Sequence, residues 1–143
     1  MNEIGEFQGQ YRWLSNFVSV PVELDGETYP TVEHAYQAAK TTSAVARERV
    51  RQHVRPGEAK REGKNLVLRP GWDDNMKLAI MEDLLRQKFN QQPFRSWLLA
   101  TGDARLVEGN SWGDRFWGVC KGVGHNHLGR LIMKIREELT RVG

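Results

Sequence analysis

Apolar residues recur along this chain at helical spacing more often than in alternation. Near the C-terminus, Leu128, Leu131, Ile132, Ile135, Leu139 and Val142 form one narrow stripe at about 100° per residue, with Arg130, Lys134, Glu137 and Arg141 opposite. The pattern predicts an amphipathic helix whose stripe joins the core. Residues 73–91 carry Met76, Leu78, Ala79, Ile80, Met81, Leu84, Leu85 and Phe89, apolar on most sides, which predicts a helix central to the core that Pro93 stops. Residues 94–100 read as a further helix ending at Gly102, and 105–108 as a short strand. Earlier, Thr31 can cap a helix over 31–42 that sets Val32, Ala35, Tyr36 and Ala39 on one side. Two short helices follow at 44–53 and 56–63, the second opened by Pro56 in its first turn. Ahead of them, Asp25-Gly26 supplies the two positive-φ positions of a type I′ turn, predicting a hairpin within 20–30 bounded by Pro21 and Pro30. The fold class is α+β: a single compact, mostly helical domain over 1–143 with a small β-hairpin or sheet, since no repeat, low-complexity tract or linker marks an internal boundary.

Composition narrows the functional classes. The 143 residues are 39% hydrophobic and 27% charged, the balance of one globular domain. Lys and Arg number 21 against 18 Asp and Glu, a formal net charge of +3 whose members are interspersed along the chain, so charge alone does not mark a nucleic-acid binder. The single Cys120 excludes an internal disulfide framework, and no C-x-x-C pair is present. No stretch approaches the roughly 18 apolar residues of a membrane span, and Met1-Asn2-Glu3-Ile4-Gly5-Glu6 lacks the basic start of a signal peptide, so a cytoplasmic protein with no membrane partner is expected. His125-x-His127 has no third ligand at a predictable spacing, so neither a metal nor another cofactor is expected.

Three segments carry candidate chemistry. Glu33, Gln37 and Lys40, spaced i, i+4, i+7, fall within about 60° of arc beside the apolar stripe of the predicted 31–42 helix. Partial desolvation at such a border raises a carboxylic acid's pKa and lowers a lysine's, the condition for proton transfer or amine nucleophilicity. The ordinary alternative is a solvated pair of helix charges. The run Tyr11-Arg12-Trp13-Leu14-Ser15-Asn16-Phe17 mixes stacking rings with a guanidinium, a hydroxyl and an amide, which suits a nucleotide as well as it suits an edge segment covering the core. From Gly109 to Gly124 five glycines, Gly118 among them, surround Trp112, Asp114, Phe116 and Trp117. Roughly 15 residues of loop in a compact domain point to function. There Asp114 either serves a ligand or bonds its own backbone as a turn former. Backbone amides from Asn126 to Gly129, at the start of the last helix, can receive a phosphate.

In this order the chain resembles the NADAR family over nearly its full length. The resemblance rests on Tyr11 to Phe17; on Leu24-Asp25-Gly26 with Tyr29-Pro30-Thr31-Val32-Glu33-His34-Ala35-Tyr36-Gln37-Ala38-Ala39-Lys40; on Leu98-Leu99-Ala100-Thr101-Gly102; on Asp114-Arg115-Phe116-Trp117-Gly118; and on Gly124-His125-Asn126-His127-Leu128-Gly129. It implies an enzyme that hydrolyses N-glycosidic bonds of ribosylated amines. Its substrate would be ADP-ribose on guanine in nucleic acid or a phosphorylated ribosylamino-pyrimidine of riboflavin synthesis. By the resemblance, Glu33 matches the catalytic glutamate, and Arg12, Asn16, Lys40, Asp114, Trp117 and Asn126 match the polar pocket. Ser15, Phe17, Gln37, Trp112 and Gly118 complete the candidate substrate-binding set, with Lys40 and Asp114 joining Glu33 as catalytic candidates. Glu33 can activate water, or Lys40 can capture the opened ribose as an imine; both routes stay open. The rival from another class is a module that binds ADP-ribose or modified nucleic acid without cleaving it.

Overall fold

The computed structural model describes residues 2–142. In chain order its elements are β1 (Glu3–Ile4), a 3-10 helix (Gly9–Leu14), β2 (Val22–Leu24), β3 (Glu27–Tyr29), α1 (Val32–Ala38), α2 (Ala44–Gln52), α3 (Pro56–Gly63), α4 (Asp74–Phe89), α5 (Phe94–Ala100), β4 (Arg105–Leu106), β5 (Gly109–Asn110), β6 (Val119–Cys120) and α6 (His127–Val142). About half of the chain is helical, in the α+β class expected. Contacts gather these elements into two compact units, one the continuous segment Asn16–Lys88, the other made of residues 2–15 and 89–142. Among the described residues no helix is long and apolar enough to cross a membrane.

In the continuous unit, β2 and β3 pair antiparallel with Leu24 opposite Glu27. Asp25 and Gly26 close the hairpin at φ 50° and 85°, the mirror-image turn that matches strand twist. The Thr31 hydroxyl accepts the His34 N–H and starts α1, which packs against α2, α3 and the hairpin. Ser43 caps α2 in the same way, and the Glu58 carboxylate accepts the Arg55 N–H at the start of α3. The Asp73 carboxylate accepts the Met76 N–H and opens α4. Only the second half of α4 is buried, at Met81, Leu84, Leu85, Lys88 and Phe89; Met76, Leu78 and Ile80 are half-buried and Ala79 exposed, correcting the expectation of a helix apolar on most sides at the centre of the core.

In the other unit, β1 and β4 pair parallel, with Glu3 opposite Arg105. The expected 105–108 strand is shorter in the ladder, although the Val107 N–H still donates to the Ile4 carbonyl. Trp13 meets the Phe89 ring edge-on at 6.5 Å and the tilted Trp97 ring at 5.8 Å. α6 packs on β4 and α5 and buries Leu128, Ile132, Ile135 and Leu139. Its stripe ends there: Val142, in the last turn, is 84% exposed. The glycine-rich segment is not bare loop, since β5 and β6 pair parallel within it. A tight turn over 120–123, with Lys121 and Gly122 at φ 52° and 76°, folds the chain back on itself.

Candidate active site

Glu33 is placed by the way α1 begins. The His34 ring lies 2.7 Å from the Thr31 hydroxyl at Nδ1 and 2.8 Å from the His53 carbonyl at Nε2. A carbonyl only accepts, so Nε2 donates and Nδ1 accepts the Thr31 O–H, which defines the neutral tautomer. Burial, the largest influence, pushes the His34 pKa down and keeps it in that form. The first turn of α1 is thereby locked with Glu33 inside it, 8% exposed.

The Glu33 carboxylate accepts the Gln37 amide N–H at 2.6 Å, one helical turn on. The Gln37 amide lies directly over Gly63 of α3, where a Cβ would collide with its Oε1 and Cδ. The Glu33 N–H donates to the Asn16 carbonyl at 3.2 Å, and the Asn16 amide reaches Met81 Sδ at 3.6 Å. Two buried acceptors here, Asn16 Oδ1 and Gln37 Oε1, meet no donor in the protein. A buried acceptor left without a donor costs on the order of 1–3 kcal/mol, and a ligand N–H or O–H would relieve it.

Lys40 departs from the expected helical register. α1 ends at Ala38 rather than near residue 42, because its last carbonyls are claimed from outside: Arg47 Nε donates to Ala38 and Thr41, Arg69 Nη1 to Ala39, and the Arg69 N–H to Lys40. Lys40 therefore stands in the turn beyond the helix, half-buried, its Nζ 5.6 Å from the centre of the Tyr36 ring. All seven residues of α1 are buried, so Glu33 and Gln37 do not sit at a solvent border either. Burial is the largest influence on Lys40 and lowers its pKa; Glu33 opposes this, and Lys77, Lys60 and Lys64 add to it. Asn16, Glu33, Gln37 and Lys40 thus belong to one unit, with Phe17 half-buried in the same unit.

The remaining candidates belong to the other unit. Asp114 Oδ1 accepts the N–H groups of Phe116 and Trp117 at 3.1 and 2.9 Å, an Asx-type turn. Asn110 holds the same stretch from both sides, accepting the Asp114 N–H and donating to the Asp114 carbonyl. Gly118 is buried where a Cβ would strike the Glu108 carbonyl. Asn126, 3% exposed at φ 54°, accepts the Glu108 N–H and donates to the Leu106 carbonyl, each at 2.9 Å. Three of the four amides expected to receive a phosphate are already taken: Asn126, His127 and Leu128 donate to the carbonyls of Gly118, Phe116 and Trp117, as His125 beside them does to Arg115. Trp117 is half-buried with Phe116 edge-on at 4.8 Å, whereas Trp112 and Arg12 are exposed. Ser15 is half-buried, its N–H on the Arg12 carbonyl. His125 and His127 stack at 5.3 Å, and among the described residues no three His, Cys, Asp or Glu side chains converge as a metal site would require.

A family model for the NADAR domain matches residues 5–140. The chain belongs to the NADAR family. This NADAR protein is 41% identical over 134 residues to N-glycosidase YbiA of Shigella boydii, covering 91% of this chain and 82% of that one. It is 37% identical over 131 residues to a riboflavin biosynthesis protein of Vibrio vulnificus, covering 89% of this chain and 35% of that longer one. Its structure is similar to the NMR structure of the Escherichia coli protein YbiA, with a TM-score of 0.85 at 37% identity, covering 99% of this chain and 88% of that one. Sequence reasoning about the NADAR chain passed over Asn110, whose bonds to Asp114 carry no one-dimensional signal. It also passed over Lys88, whose burial was signalled, because Met81, Leu84, Leu85 and Lys88 recur at i, i+3, i+4, i+7.

Proposed function

We propose that this chain is an N-glycosidase of ribosylated amines in which Lys40 captures the sugar and Glu33 moves the proton. The observation that carries the reading is a buried Glu33 carboxylate, pinned by Gln37, acting on a Lys40 whose pKa burial lowers. A glycosylamine opens when its ring oxygen takes a proton from solvent and C1 becomes doubly bonded to nitrogen as a protonated imine. Neutral Lys40 Nζ adds to C1 and gives its proton to Glu33; Glu33 returns it to the substrate amine, which leaves as C1 becomes bonded to Lys40 as an imine. Water then adds to C1 of the protonated lysine imine, one proton returns to solvent, and neutral Lys40 and the free sugar are released, so one water is consumed for each bond cleaved. Asp114, with Oδ1 held by two backbone amides, shapes the 109–124 segment in this reading and takes no proton.

For substrate, ADP-ribose on guanine in nucleic acid is the first reading. A phosphorylated ribosylamino-pyrimidine is the second, favoured by similarity to the riboflavin biosynthesis protein. The family match across 5–140 supports reading both units as one domain, and the single buried Cys120 supports a reducing, cytoplasmic setting. Glu33→Gln should lower kcat by about 10²–10⁴-fold with little change in the thermal midpoint. Borohydride added during turnover should leave a reduced ribosyl adduct on Lys40, read by peptide mass. Turnover with no adduct would replace the lysine route with attack by water. No released sugar from either substrate class, with both bound, would make the protein a binding module.

A further inference from the structure

We propose that Lys60, Lys64 and Lys77 form, beside Lys40, an anion seat for the phosphate or diphosphate ester carried on the substrate's ribose; the proposal rests on the N-glycosidase reading for its substrate and on the fold for its geometry. In the sequence Lys60, Lys64 and Lys77 are 4 to 17 residues apart and mixed with acids, so no basic cluster is visible. The fold gathers them. Lys60 and Lys64 lie one turn apart at the end of α3, and that turn is pinned to α1 where the Gln37 amide rests on Gly63. The segment leading out of α3 is tied to the other end of α1, with the Arg69 N–H on the Lys40 carbonyl at 2.7 Å. Trp72 lies against the Tyr36 ring at 5.8 Å, the same ring that Lys40 Nζ overhangs at 5.6 Å, and Lys77 follows in the first turns of α4.

Of the charges acting most strongly on Lys40, one is an acid, Glu33, and three are these ammonium groups. The neighbouring acids are engaged. Glu33 accepts from Gln37, Glu62 from His53 and Arg49, Glu58 from the Arg55 N–H, and Asp73 from the Met76 N–H. Asp74 reaches Lys77 at only 3.7 Å with 73% of its side chain exposed, a solvent-screened pair that an arriving dianion displaces. Three ammonium groups acting on a fourth favour the arrival of a compact anion beside them. A phosphate ester brings about −1.5 to −2 in a compact group, which lysines bind as point charges. A monoester and a diphosphate share this chemistry.

Calorimetry on the full chain tests the seat without requiring turnover. The triple variant Lys60→Gln, Lys64→Gln, Lys77→Gln should weaken binding of inorganic pyrophosphate at least tenfold at low salt, while the matching triple Arg variant retains most of it. In turnover, the triple Gln variant should raise KM at least tenfold more on phosphorylated ribosylamines than on the same ribosylamine lacking phosphate, whereas a fall in kcat through Lys40, whose pKa these ammonium groups help to lower, should strike both substrates alike. Lys64→Gln alone, an exposed site that does not threaten folding, should give about a threefold loss. Ribose 5-phosphate and ADP-ribose as separate titrants assign the seat to a monoester or a diphosphate by which loses more in the variant. Unchanged pyrophosphate binding in both the triple and single Gln variants overturns the seat. Lost pyrophosphate binding with no turnover of any substrate by the unmodified protein supports the seat and overturns the glycosidase reading alone.

Discussion

Lys88 has no exposed surface, and burial pushes its pKa down to about 7 from 10.5. Between those values the unfolded chain holds more protons than the folded one, so this group's contribution to stability rises as pH rises from about 7 towards 10.5. Lys88→Met carries no such proton. Its thermal midpoint should exceed that of the unmodified protein at pH 7, with the gain shrinking as the buffer is raised to pH 10. His34 has the opposite consequence. Its lowered pKa leaves it neutral when folded, so the unfolded chain gains protons first as pH falls below the ordinary histidine value of 6.5, and stability is lost from there downward. Melting curves between pH 8 and 5 should decline below about 6.5, and His34→Gln should flatten that decline.

At the scale of elements, α1 and α3 meet where Gly63 leaves room for the Gln37 amide that holds Glu33. In an open helix Gly→Ala adds about 1 kcal/mol, but here the new methyl enters space that Gln37 occupies, so Gly63→Ala should cost roughly 1–3 kcal/mol instead. The denaturant midpoint gives the sign, and kcat should fall with it as Gln37 is pushed off Glu33. The hairpin, both bounds of α3 and the stripe of α6 through Leu139 were legible, because their signals are local: Asp25-Gly26, Pro56, and a period of 3.6. The end of α1 was not, since Arg47 and Arg69 take its final carbonyls from outside the helix. The same reason hid the true state of the α6 amides. A helix N-terminus reads as an anion site until carbonyls from Arg115 to Gly118 are found occupying it. At the candidate site the residue types Glu33, Gln37 and Lys40 were legible, while the Gly63 support and the lysines beside Lys40 depend on pairings distant in sequence.

At the scale of the molecule, one unit is continuous and the other is drawn from both ends of the chain. Residues 89–143 alone lack β1, the parallel partner of β4, and lack Trp13, which packs on Phe89 and Trp97. That fragment should show little fixed tertiary signal in near-ultraviolet circular dichroism and should gain it when the 1–15 peptide is added; a fully structured fragment would contradict this account. The pairing of Glu3 with Arg105 also sets an order of events during synthesis. The first strand leaves the ribosome about a hundred residues before its mate, so the segment from Asn16 to Lys88 can settle early while the leading end waits unpaired. Over that interval the nascent chain carries an unsatisfied strand edge, which makes the speed of translation through the second half a determinant of how much protein reaches its native state.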